Sequence, residues 1–347
     1  MLEPEGDLVR LFTDIVNIES VSGNEGPLAD AVEAALRPYP HLEVSRFADT
    51  VIARTNLGRA ERVVVAGHLD TVPLAGNLPA RQEGERVYGR GTADMKGGVA
   101  VALAAAARLN NPSRDVTWIF YDHEEVDEKM NSLGHLDPAL LAADLAILME
   151  PTSAGIEGGC QGNMRFAITT KGVAAHAARA WKGHNAIHEA FDVLARLVRY
   201  KPREVEVDGL VYREGLNAVR IEGGIASNVI PDSCRIEIAF RFAPDRDEAD
   251  AKRFCEQTFT GFRLEYLDFA LGARPGLDRP IAREFAQAVG GQPRPKYGWT
   301  DVARFSALGV PALNFGPGDP GKAHADDEYC DTGELGVSLK ALLDFLG

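Results

Sequence analysis

The sequence predicts an α/β fold, in which a catalytic domain on a doubly wound, mostly parallel sheet is interrupted by an inserted ferredoxin-like α+β domain. Three observations carry that prediction. Short apolar runs such as Val63-Val-Val-Ala and Val116-Thr-Trp-Ile-Phe-Tyr121 suit strands buried on both faces, and helical stretches alternate with them. From about residue 164 to 274 the texture changes to strands of mixed polarity in the succession β-α-β-β-α-β. The α/β texture then returns. The catalytic domain is therefore expected over 1–163 and 275–347, with 164–274 as an inserted lid domain.

The elements follow in order. Residues 8–16 have helical spacing, and a second helix over 26–36 lies behind the break at Ser22-Gly-Asn24. Residues 44–47 and 51–55 read as short strands. The central strand begins at Val63 and runs out at His68-Leu-Asp70, with Pro73 ending the ladder. A loop rich in Gly, Pro and Arg leads to Tyr88-Gly-Arg-Gly-Thr-Ala-Asp94-Met-Lys-Gly-Gly98, then to an alanine-rich helix over 99–109. Strands over 116–121 and 145–149 end at Asp122-His-Glu124-Glu125 and at Glu150-Pro151. In the insertion, strands over 164–171, 216–222, 234–242 and 262–267 are interleaved with helices over 185–200 and 247–259. A helix over 281–289, another capped by Asp301, a strand over 310–315 and a closing helix over 332–345 behind Asp331 complete the chain.

Composition narrows the function. The 347 residues carry 51 acidic against 37 basic side chains, a net charge of −14, which argues against nucleic-acid and anionic-membrane partners. An anionic substrate would need arginines placed locally against that field. No run approaches the length of a membrane span, and the acidic start lacks a signal peptide's basic residues. Scattered Cys160, Cys234, Cys255 and Cys330 suit reduced thiols in a cytoplasmic protein.

Ligand sites in open parallel sheets lie beyond the carboxyl ends of the strands. His68, the pair Glu124-Glu125 and Glu150 fall there, the strand over 310–315 leads to His324, and Asp94 precedes a helix in a glycine-flanked turn. Singly, Asp94 reads as a helix cap, the glutamates as solvated strand ends and His324 as a surface residue. Jointly they are two histidines and several carboxylates converging on one crevice, where like charges repel unless cations lie among them. Nitrogen and oxygen donors without thiolate suit zinc, or cobalt or manganese, and there are enough for two ions with one bridging carboxylate. Such a pair polarises a carbonyl, and a spare carboxylate serves as general base. Asp70, two residues from His68, is placed to orient it.

Gly67-His-Leu-Asp70-Thr-Val-Pro, Gly89-Arg-Gly-Thr-Ala-Asp94-Met-Lys-Gly, Glu124-Glu125, Met149-Glu-Pro-Thr152 and Ala323-His324 resemble, in the same order, the zinc-dependent aminoacylase and carboxypeptidase family that includes acetylornithine deacetylase. The resemblance implies that Asp94 bridges two ions, that His68 and Glu150 complete one site and Glu125 and His324 the other, that Glu124 deprotonates the attacking water, and that the peptide after Asp94 is cis. Glu157-Gly-Gly-Cys-Gln-Gly162, Tyr212-Arg-Glu-Gly-Leu-Asn217, Asn228-Val-Ile-Pro-Asp232, Phe240-Arg-Phe-Ala-Pro244 and Tyr297-Gly-Trp-Thr-Asp-Val-Ala-Arg-Phe305 resemble one branch of that family, the actinobacterial succinyl-diaminopimelate desuccinylases. That likeness implies a small anionic N-acyl amino acid as substrate. It also implies Asn228 and Arg241 as carboxylate-binding residues, with Arg179 and Thr300 as further candidates. His176 would be an oxyanion donor reaching the neighbouring subunit's site in a homodimer. A related deacylase or dipeptidase, or a catalytically silent metal-binding protein, are the alternatives on the same frame.

Overall fold

In the computed structural model, residues 2–347 are described. They form two compact units, one of Met1–Gly159, Pro275–Arg294 and Asp301–Gly347, the other of Cys160–Arg274 and Pro295–Thr300.

In the first unit, strands Asp115–Tyr121, Arg62–His68, Leu145–Leu148 and Ala312–Asn314 lie side by side and parallel. Thr50–Arg54 and Glu43–Phe47 extend one edge antiparallel, and Glu157–Gly158 pairs antiparallel beyond Ala312–Asn314. The central strands are buried along almost their whole length, so no alternation of inward and outward residues marks them. The helix Gly97–Arg108 is buried along nearly its whole length, which explains its run of alanines, since larger side chains would hold it off the sheet. Gly98 makes the closest approach: a Cβ there would lie 2.1 Å from the Met149 carbonyl oxygen.

Parallel strands put all their carboxyl ends on one side, and the loops leaving those ends carry the chemistry. The loop after Pro73 is more ordered than its composition suggests. Arg81–Glu83 and Arg86–Tyr88 form a hairpin, and Tyr329–Asp331 adds a third strand. Three-residue strands rich in Arg and Glu have no apolar alternation to reveal them. Asp301 and Asp331 stand at helix starts, as expected, but neither side chain caps its helix. Asp331 accepts instead from Arg86 Nε at 3.3 Å.

The second unit is a four-stranded antiparallel sheet ordered Gly215–Gly223, Ser233–Phe242, Gly162–Lys171, Leu264–Ala270. Helices Ala186–Arg199 and Glu248–Thr258 share one core with its inner residues, among them Phe166, Ile236, Ile238, Phe240, Ala190 and Cys255. The chain order is β-α-β-β-α-β, with a hairpin of Glu204–Val207 and Leu210–Arg213 added before the second strand.

Candidate active site

His68 closes the central strand and its side chain is 1% exposed. Its Nδ1–H donates to the Asp70 backbone carbonyl at 2.9 Å, with the Asp70 carboxylate 3.5 Å away. That leaves Nε2 facing Asp94 Oδ1, 3.2 Å away. The other oxygen, Asp94 Oδ2, is 3.4 Å from His324 Nε2, which in turn lies 2.9 Å from Glu125 Oε1. Asp94 thus stands between two imidazoles, one on each carboxylate oxygen. Ligand atoms of His68, Asp94 and Glu125 lie within 4.8 Å of one another. The peptide between Asp94 and Met95 is cis, and His324 and His123 both adopt left-handed φ, 64° and 61°. Glu150, buried behind its strand, stands outside that group of three and acts through its charge on Glu124 and Tyr121.

Asp70 does more than face His68. Its carboxylate accepts from Ser22 Oγ at 2.7 Å and from the backbone N–H groups of Glu124 and Glu125 at 3.0 Å each, fixing the backbone of both glutamates. Behind that turn His123 Nδ1 is 2.6 Å from Asp122 Oδ2, and buried Glu25 accepts from the His123 backbone. On the other flank Asp301 accepts from Tyr121 Oη and Asn131 Nδ2 at 2.8 Å and from Arg304 Nε at 2.5 Å. Sequence reasoning missed this cluster, because an Asp ahead of a helix is read first as a cap and a Tyr ending an apolar run as core.

Burial pushes the Glu124 carboxyl well above the usual glutamate range; the His68 charge opposes this, while Asp301, Glu150 and Glu125 add to it. Burial also raises Asp70, but the hydrogen bond and charge of His68, with those from Ser22 and Glu125, outweigh it and hold Asp70 near 2. Hydrogen bonds donated to Asp94 and Glu125 lift His324 to about 10 against a smaller effect of burial. His68 is lifted too, its burial being overcome by Asp70 and Asp94. In the metal-free chain His324 therefore holds a proton at pH 7 that a cation must displace. Zinc binding at pH 7 is expected to release at least that proton, and affinity should climb with pH toward 10 as His324 loses it. Calorimetry in buffers of differing ionisation enthalpy measures the number; a binding heat independent of buffer refutes it.

In the second unit, His176 and Asn228 are neighbours: Ala177 N–H donates to the Asn228 carbonyl at 2.8 Å, and His176 pairs with Val229. The Ala178 N–H donates to His176 Nδ1 at 3.1 Å, which places the imidazole proton on an outward Nε2. Arg179 is exposed one turn on. Arg241 pairs in register with Gly215 and Asn163, and burial lowers its guanidinium. Thr300 is buried, its carbonyl accepting from Cys160 Sγ at 3.7 Å.

A parallel sheet whose strand ends gather two imidazoles and several carboxylates, with the half-buried Glu124 beside them, defines a metal-dependent hydrolase; the nitrogen and oxygen donors fit hard or borderline divalent ions. The profile of Peptidase family M20/M25/M40 matches residues 64–347, and the chain belongs to that family. It is 49% identical over 353 residues to a Mycobacterium tuberculosis protein provisionally named succinyl-diaminopimelate desuccinylase DapE, covering 100% of both chains. It is 48% identical over 344 residues to a Corynebacterium glutamicum protein named succinyl-diaminopimelate desuccinylase, covering 95% of this chain and 93% of that one. The crystal structure of a tripeptidase from Staphylococcus aureus superposes with a TM-score of 0.81 at 20% identity, over 100% of this chain and 98% of that one.

Proposed function

We propose that this protein hydrolyses the amide of N-succinyl-LL-diaminopimelate to succinate and LL-diaminopimelate. The observation that carries the reading is 49% identity along the entire chain to a protein of that name, and this sequence carries each expected donor together with Glu124. His68, Asp94 and Glu150 would hold one divalent ion and Asp94, Glu125 and His324 the other, zinc suiting the donors best, with cobalt or manganese as substitutes. Bound there, the ions supply Lewis acidity toward the amide carbonyl and lower the pKa of water. The Glu124 carboxylate takes a proton from the water that attacks the amide carbon. It then delivers that proton to the departing amine nitrogen as the C–N bond breaks. Asp70 holds the Glu124 and Glu125 backbone for this transfer. His176, its Nδ1 already satisfied, would offer Nε2–H to the oxyanion developing in the neighbouring subunit's site. Arg241 and Asn228, with Arg179 and Thr300, would receive the substrate's carboxylates, for which a guanidinium fork is suited.

The test is turnover of N-succinyl-LL-diaminopimelate by the zinc-loaded protein beside N-acetylornithine and dipeptides. A preference for the succinyl compound of about a hundredfold in kcat/KM is expected, since a site built to pair a carboxylate rejects substrates lacking it. Equal or better rates on the others would replace the succinyl assignment with a related deacylase.

The second unit also supports a homodimer. Gly215–Gly223 is an edge strand bearing exposed Val219 and Ile221, and the adjoining helix Ala186–Arg199 exposes Phe191 (67%) and Val198 (86%). An open edge flanked by large apolar side chains is a surface for a second copy. Phe191→Asp is expected to yield a monomer by light scattering; an unchanged mass would move the interface elsewhere. Among the described residues no helix is long and apolar enough to cross a membrane, and the four cysteines are free.

A further inference from the structure

Glu328 is 1% exposed and makes no contact that the proposed chemistry uses. Both of its carboxylate oxygens are nevertheless saturated. Oε2 accepts from Arg90 Nη1 and from the Gly91 N–H, each at 3.0 Å. Oε1 accepts from the Ala93 N–H at 2.9 Å and the Asp94 N–H at 3.1 Å. One buried carboxylate thus holds the turn that carries Asp94 by three of its backbone N–H groups. The turn passes through Gly91 at φ 80°, where a Cβ would fall 2.7 Å from Thr71 Cγ2, so the backbone bends closely around the acid.

Arg90, its partner, is equally enclosed, with 4% of its side chain exposed. Its Nε donates to the Pro73 carbonyl at 3.1 Å, in the loop that leaves His68 and Asp70. Its Nη1 donates to the Ala325 carbonyl at 3.2 Å, next to His324. The Gly89 N–H closes the arrangement on the Glu328 carbonyl at 3.1 Å. Three segments far apart in the chain, those carrying His68, Asp94 and His324, therefore meet on one buried ion pair. A pair retained only for stability would have no reason to touch all three, and such pairs are seldom stabilising in themselves.

We propose that the Arg90–Glu328 pair is a positioning element that sets the separation of Asp94 and His324, and through it the capacity of the site for a second divalent ion. This rests on the two-ion reading given above. Glu328 acts through the Asp94 backbone and Arg90 through the Ala325 carbonyl. Glutamine at 328 would turn an amide N–H₂ toward N–H donors, and the Asp94 turn would shift while the sheet beneath it stayed in place.

The experiment titrates zinc into chelator-stripped, full-length protein against a competing metal-binding dye, with kcat, KM and Tm measured on the zinc-loaded forms. Wild-type protein is expected to take up about two equivalents. In Glu328→Gln the second equivalent binds about 10- to 100-fold more weakly and kcat falls by a similar factor, as for other residues that hold ligands in place. KM stays within about threefold, because substrate binding is not what the pair supports. Asp115→Asn is the control for a purely structural loss. Asp115 is likewise buried and accepts from the Leu57 and Arg59 N–H groups at 2.8 and 2.9 Å, at the opposite end of its strand from the site. That variant should lower Tm while both equivalents bind as in wild type. Wild-type affinity for the second equivalent in Glu328→Gln overturns the proposal, as does an equal loss in Asp115→Asn. If Glu328→Gln does not fold, Arg90→Gln, which keeps the three backbone donors on Glu328, is read by the same criteria. Wild-type protein that binds only a single equivalent overturns the two-ion reading itself, and this proposal with it.

Discussion

Glu124→Gln keeps its zinc and loses turnover by about 10³-fold or more, with KM little changed. The amide fills the same space and leaves the backbone held by Asp70, but it cannot accept the proton of the attacking water. A second effect follows from the same surroundings. Burial and the neighbouring Asp301, Glu150 and Glu125 make a charge at this position costly, so the neutral glutamine should raise the Tm of the metal-free chain. Activity lost while stability is gained separates a catalytic carboxylate from a structural one. Metal analysis with steady-state kinetics and calorimetry decides it, and a variant that retains even a tenth of the wild-type kcat removes Glu124 from the role.

Asp94→Ala is expected to lose more. Asp94 offers one oxygen to each imidazole, so on the two-ion reading proposed above its removal would take a ligand from both positions at once. Zinc binding should collapse for both ions and kcat fall by about 10⁴-fold or more. The metal-free chain also loses the partner that faces both histidines, at a cost of about 3 kcal/mol for breaking a buried pair. Stoichiometric zinc uptake by Asp94→Ala would show that the carboxylate bridges nothing.

Much of this was legible in the sequence, for physical reasons that differ by element. The helices Leu8–Val16 and Gly26–Leu36 follow from apolar spacing and a clear break between them. The strand Arg62–His68 follows from a run of valines that only a doubly covered sheet can hide. The placement of His68 and Glu124-Glu125 follows from the rule that parallel strands deliver their ends to one side. What could not be read was anything that depends on side chains meeting across long loops. The Tyr121–Asp301 contact joins residues 180 apart, and the Arg90–Glu328 contact joins residues 238 apart. Neither leaves a periodic trace. The hairpin over Arg81–Tyr88 was hidden for the same reason, its third strand arriving from Tyr329–Asp331.

The late position of Glu328 bears on how the molecule comes into being. The Asp94 turn and the Arg86–Tyr88 strand are made long before their partners, Glu328 following Asp94 by 234 residues and Tyr329–Asp331 coming just after it. Until Glu328 has left the ribosome, Arg90 and the Asp94 turn lack the carboxylate that joins them, and His324 precedes it by only a few residues. The proposed ion site can therefore take shape only after chain segments made far apart in time have met.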